Sequence, residues 1–262
     1  MRTIRRPATP PPLFWRLTEG RAIFELGAFR LLRRQMRRLP KGDGHPVLFL
    51  PGFLASDSST KPMRALFSDL GYQTFGWELG RNIKFTAARA ADMAARLEQV
   101  YEQAGQSVSL IGWSLGGTFA RELAKGQPEK VRQVISLGSP ISGDRRHASS
   151  RRLFELFNDT DLLDGSENDL FSDLSEPPPV PTSAIFTRTD GVVSWRGSVQ
   201  HPRIGRDDIE NIVVPASHIG LGVNPLVMLV MADRLAQPET AWKPFERAGW
   251  REAIFRGTPT DL

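Results

Sequence analysis

Apolar positions along this chain fall into short continuous runs separated by stretches of helical periodicity. His45 to Leu50 reads as a buried strand turning at Pro51-Gly52-Phe53-Leu54, and Gln73 to Trp77 as the next. Val108 to Ile111, Val131 to Leu137, Ser183 to Arg188 and Asn211 to Val214 complete the set. Between them the pattern predicts helices at Met63 to Leu70, opened by Pro62 and stopped by Gly71, and at Ala87 to Ala104, stopped by Gly105. Thr118 to Lys125 is a third, ended by Gly126, and Asn224-Pro225 marks an N-cap with proline at the first position of a fourth, running to Ala236. Strands alternating with helices imply right-handed crossovers and a parallel sheet, an α/β fold. The alternation lapses at about 143–182, where apolar residues set among acidic ones predict one or two short amphipathic helices outside the sheet.

Composition narrows the class. At 262 residues, 40% hydrophobic and 24% charged, the chain can bury a large core as one domain. It has no cysteine, which excludes disulfides, a thiolate nucleophile and cysteine-ligated metals. No run approaches a membrane span and the start lacks an apolar signal core, so a cytoplasmic protein is expected.

The net charge of +5 is unevenly placed. Residues 1–41 carry eleven Arg or Lys against Glu19 and Glu25, while the remaining 23 basic and 27 acidic residues leave −4. The basicity therefore belongs to an extension, residues 1–42, ahead of a main domain at 43–262. Residues 13–39 mix large apolar side chains with arginines in an amphipathic helical pattern, weakest at Gly20 and Gly27. Such a helix either packs on the domain with a solvated arginine edge, the preferred reading, or lies peripherally on an anionic inner-membrane surface through residues 13–41. No nucleic-acid partner is expected, because no recognised binding motif accompanies the charge.

The chemistry centres on Gly112-Trp113-Ser114-Leu115-Gly116, a G-x-S-x-G between a strand and a helix. The bare pattern arises by chance in about one chain in ten of this length. Its context makes it specific: a sharp strand-to-helix turn strains its central residue toward positive φ and admits only small neighbours, presenting a hydroxyl above the sheet edge. A serine hydroxyl needs an imidazole base and a carboxylate to orient that base. Asp190 follows one strand, and His218 follows the next; the order Ser114, Asp190, His218 is that of a nucleophile-elbow architecture. Asp207 and Asp208 are the fallback acids. His45, His147 and His201 lie before the first strand, in the helical excursion and in a polar loop. Ser139 lacks the flanking glycines. The N–H groups of Phe53 and Leu115 are the candidate oxyanion donors.

Together these motifs resemble the α/β-hydrolase fold superfamily, especially its bacterial lipase- and esterase-like members, over roughly Val47 to Ala236. The resemblance implies a mostly parallel eight-stranded sheet, a Ser114-His218-Asp190 triad and a cap over the pocket. Many members carry His-Gly after the first of these strands; here Pro51 replaces that His, a change a main-chain donor survives. The expected activity is cofactor-independent hydrolysis of a small carboxylic ester, without a metal. Cap residues Phe154, Phe157 and Leu162 suggest an apolar acyl group. Two alternatives stand beside it: acyl transfer through the same triad, and a non-catalytic binding protein on a hydrolase fold.

Overall fold

A computed structural model describes residues 11–83, 86–141 and 174–255. The chain begins with three short helices, α1 (Leu13–Leu17), α2 (Ala22–Leu31) and α3 (Arg33–Met36). It continues through β1 (Pro46–Leu50), α4 (Asp57–Asp69), β2 (Gln73–Gly76), α5 (Ala87–Ala104), β3 (Val108–Trp113), α6 (Leu115–Gly126) and β4 (Val131–Leu137). Then come β5 (Thr182–Phe186), β6 (Ile209–Val213), α7 (Pro225–Leu235) and α8 (Trp250–Ile254).

The strands form one sheet in the order β2-β1-β3-β4-β5-β6, every neighbouring pair parallel. Strands β1, β4 and β5 are buried along their whole length, as expected for a parallel sheet covered on both faces. Successive residues serve opposite layers. Val47 and Phe49 of β1 pack with Met63 and Phe67 of α4, Met228 and Met231 of α7, and Phe29 and Met36 of the amino-terminal helices. Leu48 and Leu50 face Leu97 of α5 and Phe119 of α6.

Several elements end where their chemistry marks an end. Thr86 caps α5 by accepting from the Arg89 N–H at 3.1 Å, and Gly105 closes that helix at φ 67°. Asn224 caps α7 through bonds from the N–H groups of Leu226 (2.9 Å) and Val227 (3.4 Å).

Three expectations change. The helix expected to open at Pro62 opens at Asp57 and carries Pro62 inside it. Its first turn is held instead by Ser59 and Thr60 hydroxyls bonded back to the carbonyls of Ser56 and Asp57. The amphipathic pattern of residues 13–39 is broken by a 3-10 turn, Thr18–Arg21, where Glu19 turns inward and is buried, and again at Leu32. Six strands, not eight, are present among the described residues, since the segment ahead of β1 is helical. The cap residues Phe154, Phe157 and Leu162, and His147, lie outside the described residues.

Candidate active site

In a parallel sheet all strands end at one edge, and that edge gathers the turn after β1, Ser114 after β3, and the loops carrying Asp190 and His218 after β5 and β6. Ser114 sits at φ 53°, ψ −123°, a conformation that costs a non-glycine residue about 1–3 kcal/mol and is held only by its surroundings. Its N–H donates to the Leu137 carbonyl at 2.8 Å. The flanking glycines are needed for space: a Cβ on Gly112 would come within 2.2 Å of the Gly116 carbonyl oxygen, and one on Gly116 within 2.3 Å of that of Leu50.

Asp190 is buried and both its oxygens are engaged. Oδ1 accepts from the backbone N–H of Val192 (2.8 Å) and Val193 (2.7 Å); Oδ2 lies 2.7 Å from His218 Nδ1. A carboxylate there accepts a hydrogen bond from Nδ1–H, leaving Nε2 as the acceptor nitrogen of the ring. The carbonyl of His218 accepts from the indole N–H of Trp113 at 3.1 Å, which ties the histidine loop to the residue preceding Ser114. Gly138, next to the Leu137 that holds Ser114, lies under the pair: a Cβ there would sit 3.1 Å from His218 Nδ1 and 3.3 Å from Asp190 Oδ2. The structure thus pairs His218 with Asp190 at the sheet edge that also carries Ser114.

Leu115 is the first residue of α6, so its N–H has no acceptor within the helix. Phe53 stands across the site in the turn after β1, where Gly52 approaches Ser114 closely enough that a Cβ would lie 3.3 Å from that of the serine. This turn is fastened by Asn82, a residue sequence reasoning missed. Fully buried, Asn82 donates through Nδ2 to the Pro51 carbonyl (2.9 Å), while its carbonyl accepts from Leu54 N–H (2.7 Å) and its N–H donates to Ala55 (2.8 Å). Leu54 is thereby kept at φ 58°. Nothing about an asparagine in a polar loop announces this role.

The fallback acids are elsewhere. Asp207 and Asp208 precede β6 and so lie at the opposite sheet edge, where Asp208 pairs with Arg206. At that same far edge a hydrogen-bonded Ser-His-Asp chain occurs: Asp43 Oδ1 to His45 Nδ1, 2.5 Å, and His45 Nε2 to Ser109 Oγ, 2.8 Å. Ser109 and His45 are fully buried, and Ser109 is paired in register between Val47 and Gln133 within the sheet. Burial pushes the His45 ring below its ordinary range, against the pull of the Asp43 carboxylate, so the imidazole stays neutral. Ser109 stands on no strained elbow and has no exposed surface. Among the described residues no group of three or more His, Asp or Glu side chains could hold a metal ion.

Comparison with known proteins agrees with this architecture. Residues 45–177 match the family model described as "alpha/beta hydrolase fold". Over 60 residues, 23% of this chain and 22% of the relative, the sequence is 40% identical to pimeloyl-[acyl-carrier protein] methyl ester esterase of Yersinia enterocolitica; the match therefore spans under a quarter of that enzyme. Among solved structures, one of the metagenome-derived lipolytic enzymes LipS and LipT superposes with a TM-score of 0.54 at 17% identity, covering 76% of this chain and 94% of that one. Lipase B of Aspergillus fumigatus gives 0.53 at 17% identity, covering 74% and 53%. With its family model matched over half the chain, its strands in one parallel sheet and its serine on a strand-to-helix elbow, this protein belongs to the α/β-hydrolase fold family.

Proposed function

We propose that the protein hydrolyses carboxylic esters, with Ser114 as nucleophile, His218 as general base and Asp190 as the group orienting it. The observation that carries this is the 2.7 Å bond between His218 Nδ1 and Asp190 Oδ2 beside a serine held at positive φ. His218 Nε2 takes the hydroxyl proton as Ser114 Oγ bonds to the acyl carbon, and the N–H groups of Phe53 and Leu115 hold the resulting oxyanion. The intermediate collapses with loss of the alcohol, which receives the proton from His218. Water, deprotonated by the same ring, then releases the acid and restores the serine. The likeness to an ester-cleaving relative supports the substrate class. In the purified full chain, Ser114→Ala should lower p-nitrophenyl ester hydrolysis by at least about a thousandfold and abolish fluorophosphonate labelling; a variant active at the parent rate overturns the reading. Product analysis with an added alcohol separates hydrolysis from acyl transfer, and a chain-length series of esters tests the apolar acyl preference.

A second reading, contact with an anionic membrane surface, is favoured by one observation on the amino-terminal helices. Leu13, Phe14, Leu17, Ile23, Phe24 and Leu31 are exposed, Phe24 to 78%, among the exposed Arg16, Arg30, Arg34 and Arg38. Apolar side chains interleaved with arginines match the acyl and anionic headgroup layers of a bilayer surface. No described helix is long and apolar enough to cross a membrane. Deleting the segment is a poor test, because it also removes buried Glu19, Phe29 and Met36. The point variants Leu17→Ser and Phe24→Ser should instead reduce co-sedimentation with vesicles containing phosphatidylglycerol; binding unchanged from parent excludes this role.

A further inference from the structure

The amino-terminal segment meets the candidate site with its only two acids. Glu19, in the turn Thr18–Arg21, is 6% exposed, and its carboxylate accepts three backbone N–H bonds. Oε1 takes those of Gly191 (2.8 Å) and His218 (3.1 Å), and Oε2 that of Ile219 (3.0 Å). Gly191 directly follows Asp190, so a single side chain fixes the distance between the loop bearing the acid and the loop bearing the base. Charged acceptors make shorter and stronger hydrogen bonds than neutral ones, which suits a carboxylate to collecting three converging donors.

Its neighbours treat the same loops in complementary fashion. The Arg21 guanidinium donates to the carbonyls of Thr189 (2.7 Å) and Ala216 (3.0 Å), one residue before Asp190 and two before His218. Glu25 accepts the Ser217 N–H at 2.8 Å and the Asn224 side chain at 2.9 Å. A separate observation points the same way. Gly191 and Gly220 are not among the positive-φ glycines, so no turn requires glycine there. Space does: a Cβ on Gly191 would stand 2.4 Å from the Trp15 carbonyl oxygen, and one on Gly220 would stand 2.0 Å from Glu25 Oε2. The glycines beside the acid and the base are fitted to the amino-terminal segment.

We infer that Glu19 is a positioning residue for the Asp190–His218 pair, and that residues 15–25 are a built-in part of the site. The inference rests on the triad reading above, and the pair's own geometry gives a test that does not need turnover. In Glu19→Gln one buried oxygen becomes an amide N–H facing backbone N–H groups, so the two loops lose their common tether. In the full chain, kcat for p-nitrophenyl butyrate should fall about ten- to a hundredfold with KM within about twofold, because displaced catalytic groups cost turnover more than substrate binding. Gly191→Ala, which keeps the carboxylate but displaces the Trp15–Arg16 backbone, should show the same kcat-selective loss, and Gln35→Ala on α3 should match the parent. The downfield proton resonance of the His218 Nδ1–H bond should be present in the parent and in Ser114→Ala, and shifted or lost in Glu19→Gln. Should Glu19→Gln not fold, Gly191→Ala carries both comparisons. A folded Glu19→Gln or Gly191→Ala with the parent's kcat and ring-proton resonance overturns the inference. A parent inactive on esters and unlabelled at Ser114 overturns the triad reading instead, and the resonance comparison then still decides what Glu19 holds.

Discussion

Two His–Asp pairs occur among the described residues, His45–Asp43 at the edge where the strands begin and His218–Asp190 at the edge that carries Ser114. Ser109 bonds His45 at 2.8 Å inside the sheet, whereas Ser114 sits at φ 53° at its edge. If the elbow confers reactivity, Ser109→Ala should keep ester turnover and fluorophosphonate labelling within about twofold of parent. It should also lower stability by about 1–3 kcal/mol in urea unfolding, because His45 Nε2 loses a buried partner. Loss of labelling in Ser109→Ala would put the nucleophile at the wrong end of the sheet. A matching variant at the edge, Asp190→Asn, should keep the fold and lower kcat by about a thousandfold or more, since an amide oxygen can hold the ring but an amide N–H at Oδ2 would select the wrong tautomer. The candidate nucleophile, acid and base were open to sequence reasoning, because groups such as Ser114, Asp190 and His218 must stand at strand ends in a set order. Glu19 and Asn82 were not, since their partners are backbone groups that every residue possesses and no spacing encodes them.

Elements were legible where their boundaries are written in side chains. Helix α5 runs over Ala87–Ala104 and strand β4 over Val131–Leu137, as the pattern predicts, because an Ala-rich stretch closed by Gly105 and a run rich in Val, Ile and Leu ended by Gly138 leave little choice. The start of α4 escaped notice because Asp57, at its first position, spends its carboxylate on another strand end, accepting the N–H groups of Trp77 and Glu78 at 3.0 Å each. The amino-terminal helices escaped differently: their buried face is set by loops about two hundred residues away, and hydrophobic periodicity alone cannot report a carboxylate turned inward. Asn224 shows how much one boundary residue can carry. It caps α7 with Oδ1 and, through Nδ2, holds both Glu25 and the Pro215 carbonyl. Asn224→Ala should therefore cost more than the roughly 1 kcal/mol of an isolated cap, on the order of 2–3 kcal/mol in urea unfolding. Asn224→Ser, which restores only the cap, should recover part of that; equal losses in the two variants would mean that the cap bond contributes nothing.

Among the described residues the two sheet edges differ, the candidate site at one and electrostatic closure at the other. At the closing edge Asp43 touches His45 and also pairs with Arg132 at 2.9 Å, so the start of β1 is tied to β4 across β3. Burial works against the Asp43 charge, but hydrogen bonds from the His45 ring and backbone, helped by Arg132, hold its carboxyl at about 2, below the ordinary 3.8. Burial likewise keeps His45 below 6.5. Both groups therefore bind protons less readily folded than unfolded, and stability must fall as acid is added. Their contribution is complete above about pH 6.5; it declines first as the unfolded chain's His45 protonates below 6.5, and again as Asp43 follows from 3.8 toward about 2. Urea midpoints measured from pH 8 to 3 should be level to about 6.5 and drop below it. In His45→Gln the first decline should flatten, and the second should shrink too, because His45 supplies the strongest bonds that lower Asp43. A parent whose midpoint is as high at pH 5 as at pH 7, or a His45→Gln variant with an unaltered profile, would show that the His45–Asp43 pair does not control acid stability.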